Sequence, residues 1–326
     1  MRGTTVTRVA AFDCGTNSLR LLIADVVADA DPGAATLTEL DRRMEIVRLG
    51  EGVDRTGRIE VEAIRRTLAV TRRYAELCDR FGVSRMRFVA TSATRDAANR
   101  EDFVAGVQAV LGIKPEVIPG EEEAALSFTG ATHELTAGAP FLVVDIGGGS
   151  TEFVLGEREV EAACSVDVGC VRMTERHLAA DPPTPEQVAA ATADVDAALD
   201  EVALAVPLGR TRTLVGLAGS VTTVTARVLG LDRYDRDAIH RASLPVADVL
   251  AACDDLLAMR RAGRAAQPYM HPGRVDVIGA GALVWRRTIE RVAEQTTAAG
   301  APLREVVASE HDILDGIAWS LARSAP

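Results

Sequence analysis

The strongest constraint on the fold is a degraded copy of the chain's own opening. The segment "AAFDCGTNSLR" (Ala10 to Arg20) returns as "LVVDIGGGSTE" (Leu142 to Glu152). At one constant offset of 132 residues, Asp13 falls on Asp145, Gly15 on Gly147, Ser18 on Ser150, and Leu21-Leu22-Ile23 on Phe153-Val154-Leu155. An apolar run, a glycine-containing turn and a second apolar run spell a β-hairpin. A hairpin that recurs in this way implies two related domains, each opening with a turn that faces a common cleft.

The segments downstream of each hairpin agree with two such domains. Beyond the first hairpin, a third strand is expected near Met44 to Leu49. A helix spans Arg58 to Gly82, with Ile64, Leu68, Thr71, Ala75 and Cys78 as its apolar stripe and Gly82 as its stop. Next come a strand over Met86 to Ala90, a helix over Asp102 to Val110 closed by Gly112, and a short strand over Glu116 to Ile118. Pro119-Gly120 then breaks the chain before a helix that begins "EEEAALSF". The second half brings a long helix ("PTPEQVAAATADVDAALDEVALAV"), a strand ending in a Gly-Ser turn ("TLVGLAGS"), and a short strand leading into a helix ("RVDVIGAGALVWRRTIERV"). A last helix starts near Ser309 and Asp312. Strands alternating with helices give an α/β class.

Composition removes several functions. The only lysine is Lys114, between Ile113 and Pro115, so no glycine run is followed by the Gly-Lys-Ser/Thr of a P-loop. The net charge of −11 rules out a basic nucleic-acid coat. Five cysteines without a C-x-x-C pair argue against a disulfide framework or structural zinc and fit a reducing cytosol. The five histidines are scattered, with no pair at metal-ligand spacing. No signal core precedes the first strand, and the uncharged run from Thr213 to Ala226 is too short to span a bilayer.

The turns suggest phosphate chemistry. A glycine-rich hairpin turn presents successive N–H groups in a small concavity that binds anionic oxygens without cationic side chains. Gly15, Thr16, Asn17 and Ser18 form one such turn, and Gly147, Gly148, Gly149 and Ser150 the other. Carboxylates cannot grip phosphate themselves. Asp145 and Glu152 make sense if a hard cation stands between them and the anion, as Mg²⁺ does with one or two carboxylates.

With these residues in place, the chain resembles the exopolyphosphatase and guanosine pentaphosphate phosphatase family, within the superfold of actin, the sugar kinases and the heat-shock chaperone ATPases. The residues that carry the resemblance are "DCGTNS" (Asp13 to Ser18), "ATSATRDA" (Ala90 to Ala97), "PGEEEA" (Pro119 to Ala124), "DIGGGSTE" (Asp145 to Glu152) and "GLAGS" (Gly216 to Ser220), in family order. The resemblance implies two RNase H-like, actin-like α/β domains around a central cleft. The first would take in residues 1–127, with a C-terminal helix over 309–326 packing back on it; the second would run over 128–308.

The resemblance also implies roles. Composition alone does not choose among Glu121, Glu122 and Glu123, and acids in a helix's first turn are what the helix dipole favours. The family's base matches the third, Glu123. Its phosphate-contacting arginine matches Arg95, its metal carboxylate Asp145 with Glu152 as a second candidate, and its further phosphate turn Gly219-Ser220. The implied reaction is Mg²⁺-dependent hydrolysis of the terminal phosphoanhydride of polyphosphate, with a monovalent helper cation as a further candidate. Hydrolysis of guanosine pentaphosphate, an ATP-binding kinase or assembly protein, and a non-enzymatic polyphosphate sensor are the alternatives. The expected partners are polyphosphate or guanosine pentaphosphate and a second copy of the chain in the cytoplasm, with neither nucleic acid nor membrane.

The sequence departs from the family at two places. Ala125 stands where relatives often carry arginine, and "ASEHDILDGIAWS" replaces an arginine-bearing ending. Long relatives append a helical domain beyond the point where this chain stops. The Arg-rich stretch from Met259 to Arg274 is expected to line a polyanion path through Arg260, Arg261 and Arg264. Aromatic residues near the motifs are few, which favours polyphosphate over a nucleotide.

Overall fold

A computed structural model describes residues 6–27, 36–135 and 138–323 of the chain, with side chains to residue 321. Contacts divide it into two compact units. One takes in the described residues up to Gly130 and those from Ile313 onward; the other runs from Ala131 to Asp312.

The first unit is built on a five-stranded sheet. β1 (Val6–Cys14), β2 (Ser18–Val27) and β3 (Thr36–Ile46) form an antiparallel meander, so the third strand lies earlier than the Met44 to Leu49 expected. β4 (Arg85–Ala90) and β5 (Glu116–Val117) add in parallel on the other side of β1, giving the order β3-β2-β1-β4-β5. Both faces of β1 are buried, which is why it reads as a continuous apolar run. Ala10, Phe12 and Cys14 pack with the long helix over Val61–Phe81; Val9 and Ala11 pack with the C-terminal helix (Ile313–Arg323) through Ile313, Leu314 and Ile317.

The helices of this unit are α1 (Val53–Thr56), α2 (Val61–Phe81), α3 (Ser92–Asp96), α4 (Arg100–Leu111) and α5 (Gly120–Thr132). Gly316 lets the C-terminal helix lie against α5: a Cβ there would stand 2.0 Å from the Leu126 carbonyl oxygen. α2 ends as the sequence indicates, on a left-handed Gly82 whose N–H reaches the Cys78 and Asp79 carbonyls. Of the expected stripe, Thr71 and Cys78 are buried, while Ile64, Leu68 and Ala75 are only partly so; Ala63, Thr67, Val70 and Tyr74 complete the buried face. Thr67 and Thr71 can join the buried face because their hydroxyls donate to the carbonyls of Ala63 and Thr67.

The second unit repeats the plan. Its strands are β6 (Phe141–Ile146), β7 (Thr151–Gly156), β8 (Val160–Val166), β9 (Thr213–Leu217), β10 (Ser243–Pro245) and β11 (Glu305–Ala308). Read from β8, their order is β8-β7-β6-β9-β11-β10. The first three are antiparallel, β9 and β11 are parallel additions, and β10 is an extra antiparallel edge. β8-β7-β6-β9-β11 thus matches β3-β2-β1-β4-β5 strand for strand. The sequence repeat is a repeat of topology, and the chain has the mixed α/β architecture of the actin-like ATPase superfold.

Helices α6 (Cys170–His177), α7 (Pro185–Ala205), α8 (Ala218–Val228), α9 (Arg236–Ile239), α10 (Val246–Ala258), α11 (Arg261–Ala265) and α12 (Ile278–Ala298) complete this unit. α7 starts on a full capping box, Thr184 with Gln187, and Pro185 at its first position. One expectation needs correction. No strand forms before α12: Pro272–Arg274 is a 3₁₀ turn, and Val275 and Ile278 join the core from there and from the start of α12. Three apolar residues in four positions do not separate strand from helix. The Gly219-Ser220 turn that ends β9 is the first turn of α8. Among the described residues, no helix is long and apolar enough to cross a membrane.

Candidate active site

In the first unit, the turn after β1 is held from outside by backbone. The Gly15 N–H donates to the Ser18 carbonyl (3.0 Å), the Thr16 carbonyl accepts from Gly50, and the Asn17 carbonyl accepts from both Val47 and Arg48. The side chain of Thr16 shares a hydrogen bond with Ser92 (2.8 Å), both buried. Ser92 opens α3 just past β4, so one contact fixes the turn to the start of the segment that carries Arg95.

Burial sorts the three glutamates that sequence alone leaves equivalent. Glu121 is exposed; Glu122 is half-buried and pairs with Arg87 (2.6 Å); Glu123 is 8% exposed and pairs with Arg95 at 3.1 Å. The Nη1 of Arg95 also donates to the Ile118 carbonyl (3.0 Å). Among the described residues, Arg95 donates through Nη1 alone, which leaves the Nε and Nη2 edge of its fork for another acceptor.

The second unit carries the same turn in a different setting. The Gly147 N–H donates to the Ser150 carbonyl (3.0 Å), the counterpart of the Gly15 bond. The turn's carbonyls also cap a helix: Gly147 accepts from Cys170, Gly148 from Val171 and Arg172, and Gly149 from the Arg172 Nε. The chain can run this close only because residue 169 is glycine, where a Cβ would lie 2.5 Å from the Gly148 carbonyl oxygen. Three of the turn's carbonyls are thus occupied by α6, and Ser150 is buried.

Asp145 and Glu152 stand directly opposite each other across the β6–β7 ladder, and both are buried. Glu152 accepts from the Ser165 hydroxyl at 2.8 Å. Opposed residues share a face of the sheet, and like charges there are destabilising. A divalent cation bound by both carboxylates would relieve that cost. An all-oxygen pair of carboxylates suits a hard ion such as Mg²⁺, so the residues present fit it. At the matching place in the first unit, Asp13 faces Arg20, which donates to it through Nε at 2.8 Å.

Around Gly219-Ser220 the packing is close. Gly281 of α12 comes so near Ser220 that a Cβ would meet its Oγ at 2.1 Å. The Arg274 guanidinium lies against Gly219, donates to its carbonyl (3.3 Å), and stacks 5.9 Å from the Tyr234 ring centre. Tyr234 is an aromatic neighbour that sequence reasoning missed, since it sits outside every motif. Arg274 lies over one face of the ring, and the hydroxyl is bound to Thr222 and Glu310. Burial pushes that phenol up to about 12.

The expected polyanion path does not survive. Arg264 is buried with its Nη2 on Asp181, and Arg261 is paired with Asp276; only Arg260 has no such carboxylate among the described residues and stays exposed. The thiols beside the two turns, Cys14 and Cys170, are both buried, and burial raises their pKa, so neither offers a thiolate nucleophile.

Comparison with known proteins now decides the lineage. Residues 26–311 match the model of the Ppx/GppA phosphatase family. The chain belongs to that family. It is 52% identical to Exopolyphosphatase 2 of Mycobacterium tuberculosis, over 97% of this chain and 99% of the relative. Among solved structures, it resembles an exopolyphosphatase-like protein (45% identity, TM-score 0.93, 98% of each chain). It also resembles the Aquifex aeolicus PPX-GPPA enzyme (30% identity, TM-score 0.77, 97% of this chain and all of that one). As a Ppx/GppA protein, the chain is a phosphoanhydride hydrolase.

Proposed function

We propose that the chain is an exopolyphosphatase that removes the terminal phosphate of inorganic polyphosphate in a Mg²⁺-dependent hydrolysis. The observation that carries this reading is the sorting of the glutamates. Glu123 alone of the three is buried, and it is tied to the arginine that has donors to spare. Its close relation to a protein named Exopolyphosphatase 2 supports the same substrate.

In this reading, Glu123 accepts a proton from a water molecule, and the water oxygen bonds to the terminal phosphorus. The bridging P–O bond breaks, and its electron pair leaves on the shortened chain. Such a base is worth about 10²–10⁴-fold in rate. Arg95 spans both partners: Nη1 orients Glu123, and the free edge of the fork takes an oxygen of the transferring group. The turn N–H groups not used to close each turn are proposed to take phosphate oxygens: in the first unit those of Thr16–Ser18, and in the second those of Gly148–Ser150 and of the first turn of α8 at Gly219-Ser220. Asp145 and Glu152 would hold Mg²⁺, whose charge offsets that of the phosphates. Aromatic residues are few in the chain, and Arg274 already lies over one face of Tyr234, which favours polyphosphate over guanosine pentaphosphate.

Five free cysteines, four of them buried, suit the cytoplasm. A homodimer is proposed as the working form, and light scattering of the purified chain tests it. The function is tested by phosphate release from long and short polyphosphate, guanosine pentaphosphate and ATP, in parallel with and without Mg²⁺. Polyphosphate should have the highest kcat/KM, with release dependent on Mg²⁺. A higher value for guanosine pentaphosphate than for every polyphosphate length overturns the substrate assignment.

A further inference from the structure

We infer that Glu134, His240 and His311 form a second metal site, for a borderline divalent ion of the zinc class rather than for Mg²⁺. The sequence gives no hint of it, since 71 residues separate the two histidines (240 to 311) and no motif spacing joins them. Folding brings them together within the second unit. Glu134 lies just past α5, His240 just past α9, and His311 just past β11.

The distances suit a shared ion. One ligand atom from each residue lies within 4.8 Å of the others. The Nε2 of His240 is 3.5 Å from one Glu134 oxygen, and the Nδ1 of His311 is 3.7 Å from the other. With metal–ligand bonds of about 2.1 Å, tetrahedral neighbours stand about 3.4 Å apart, so the Glu–His edges need only small closure. The two imidazole rings lie 4.3 Å apart between centres.

The donor set selects the ion. Two imidazoles and one carboxylate suit Zn²⁺, Co²⁺ or Ni²⁺, whereas Mg²⁺ demands oxygen. Three protein ligands leave a fourth position for water. All three residues keep some solvent access, so an ion can enter. Binding through Nε2 puts the His240 proton on Nδ1, which now accepts from the Glu310 N–H at 3.3 Å. That long hydrogen bond is surrendered when the metal binds.

The site has a structural consequence. Glu134 lies just past Ala131, where the chain enters the second unit, and His311 just before it leaves at Asp312. One ion therefore ties the entry segment of this unit to its exit segment and to the turn after α9. None of the three residues is assigned to phosphate or Mg²⁺, so the site is separate from the proposed catalysis.

The test is metal binding to the full chain after chelator stripping. Co²⁺ is followed by its visible absorption and Zn²⁺ by competition with a chromophoric chelator. Wild type should take up one equivalent of either in the presence of excess Mg²⁺, with the Co²⁺ spectrum of a four- or five-coordinate nitrogen-bearing site. His311→Asn and the exposed Glu134→Gln should each weaken binding at least about tenfold while leaving the circular dichroism unchanged. Asp145→Asn should still bind one equivalent. Zn²⁺ should raise the unfolding midpoint of wild type and not that of His240→Asn/His311→Asn. Absence of stoichiometric binding to wild type overturns the proposal. So does unchanged binding in the His311 and Glu134 variants, or loss of binding in Asp145→Asn.

Discussion

Where β1 ends, Asp13 faces Arg20; where β6 ends, Asp145 faces Glu152. The two places correspond in sequence offset, in strand order and in the hydrogen bond that closes each turn. They differ in charge. The first carboxylate is neutralised by the protein's own arginine, and the second confronts another buried carboxylate. The duplicated scaffold keeps its backbone, and in the proposed mechanism the two copies divide the labour: the first pairs Asp13 with Arg20 and supplies Glu123 and Arg95 from neighbouring segments, while in the second Asp145 and Glu152 share one face of the sheet and would hold Mg²⁺.

The largest expected effect falls on the base. Glu123→Gln keeps shape and removes the proton acceptor, so kcat for phosphate release should fall at least about 100-fold with polyphosphate still bound. Glu121→Gln, at an exposed site without that pairing, should change it little. A severe effect from Glu121→Gln and a mild one from Glu123→Gln would place the chemistry on a different face of the first turn of α5.

The next effect separates the turns by packing. In the second unit the turn is pressed against α6, so Gly169→Ala, whose Cβ would strike the Gly148 backbone at 2.5 Å, should cost about 2–3 kcal/mol in denaturant unfolding. The comparison sharpens at matched positions. A Cβ at Gly147 would lie 3.0 Å from the Ser150 carbonyl oxygen, whereas at Gly15 its nearest neighbour is at 3.9 Å. Gly147→Ala should cost about 1 kcal/mol, and Gly15→Ala less than about 0.5 kcal/mol. Equal costs would mean that the turns are packed alike. Neither glycine has a positive φ, so close approach rather than a left-handed backbone explains the difference.

The smallest effect concerns pH and belongs to the second unit alone. His271 is half-buried, accepts the Gly273 N–H on Nδ1 at 3.1 Å and lies near Arg274. Burial first, and Arg274 second, push its pKa below the usual 6.5. The unfolded chain therefore takes up this proton first as pH falls. Stability from His271 is fully present above pH 6.5, is lost as pH falls through the folded value, and is flat below it. Unfolding free energies of wild type and His271→Asn should converge as pH is lowered from about 7 toward about 5. A constant gap over that range removes His271 from the account.

Much of this was legible in the sequence because it depends on short-range pattern. The repeat of Asp13 on Asp145 located both hairpins, and glycines at positions 82 and 112 marked helix ends that the structure places there. What was hidden depends on distance in space. Burial, not composition, separates Glu123 from Glu121. Ser92 reaches Thr16 across 76 residues, and Tyr234 reaches Arg274 from outside every motif. The arginines at 261 and 264 looked free because their carboxylate partners lie outside the Arg-rich stretch, Asp276 just beyond it and Asp181 83 residues from Arg264. A second serine correspondence was also masked. Val89 pairs with Asp13 and Leu217 with Asp145, so Ser92 and Ser220 occupy like places at the starts of α3 and α8, but the offset there is not 132 residues.

We propose that one of the two matched turns completes its charge with a cation and the other does not. The most direct test is the Mg²⁺ concentration for half-maximal phosphate release from polyphosphate, measured side by side for wild type, Asp13→Asn and Asp145→Asn. The division of labour predicts a rise of about tenfold or more for Asp145→Asn and no comparable shift for Asp13→Asn, whose carboxylate already has Arg20. An unchanged Mg²⁺ requirement in Asp145→Asn, or an equal shift in Asp13→Asn, would contradict it.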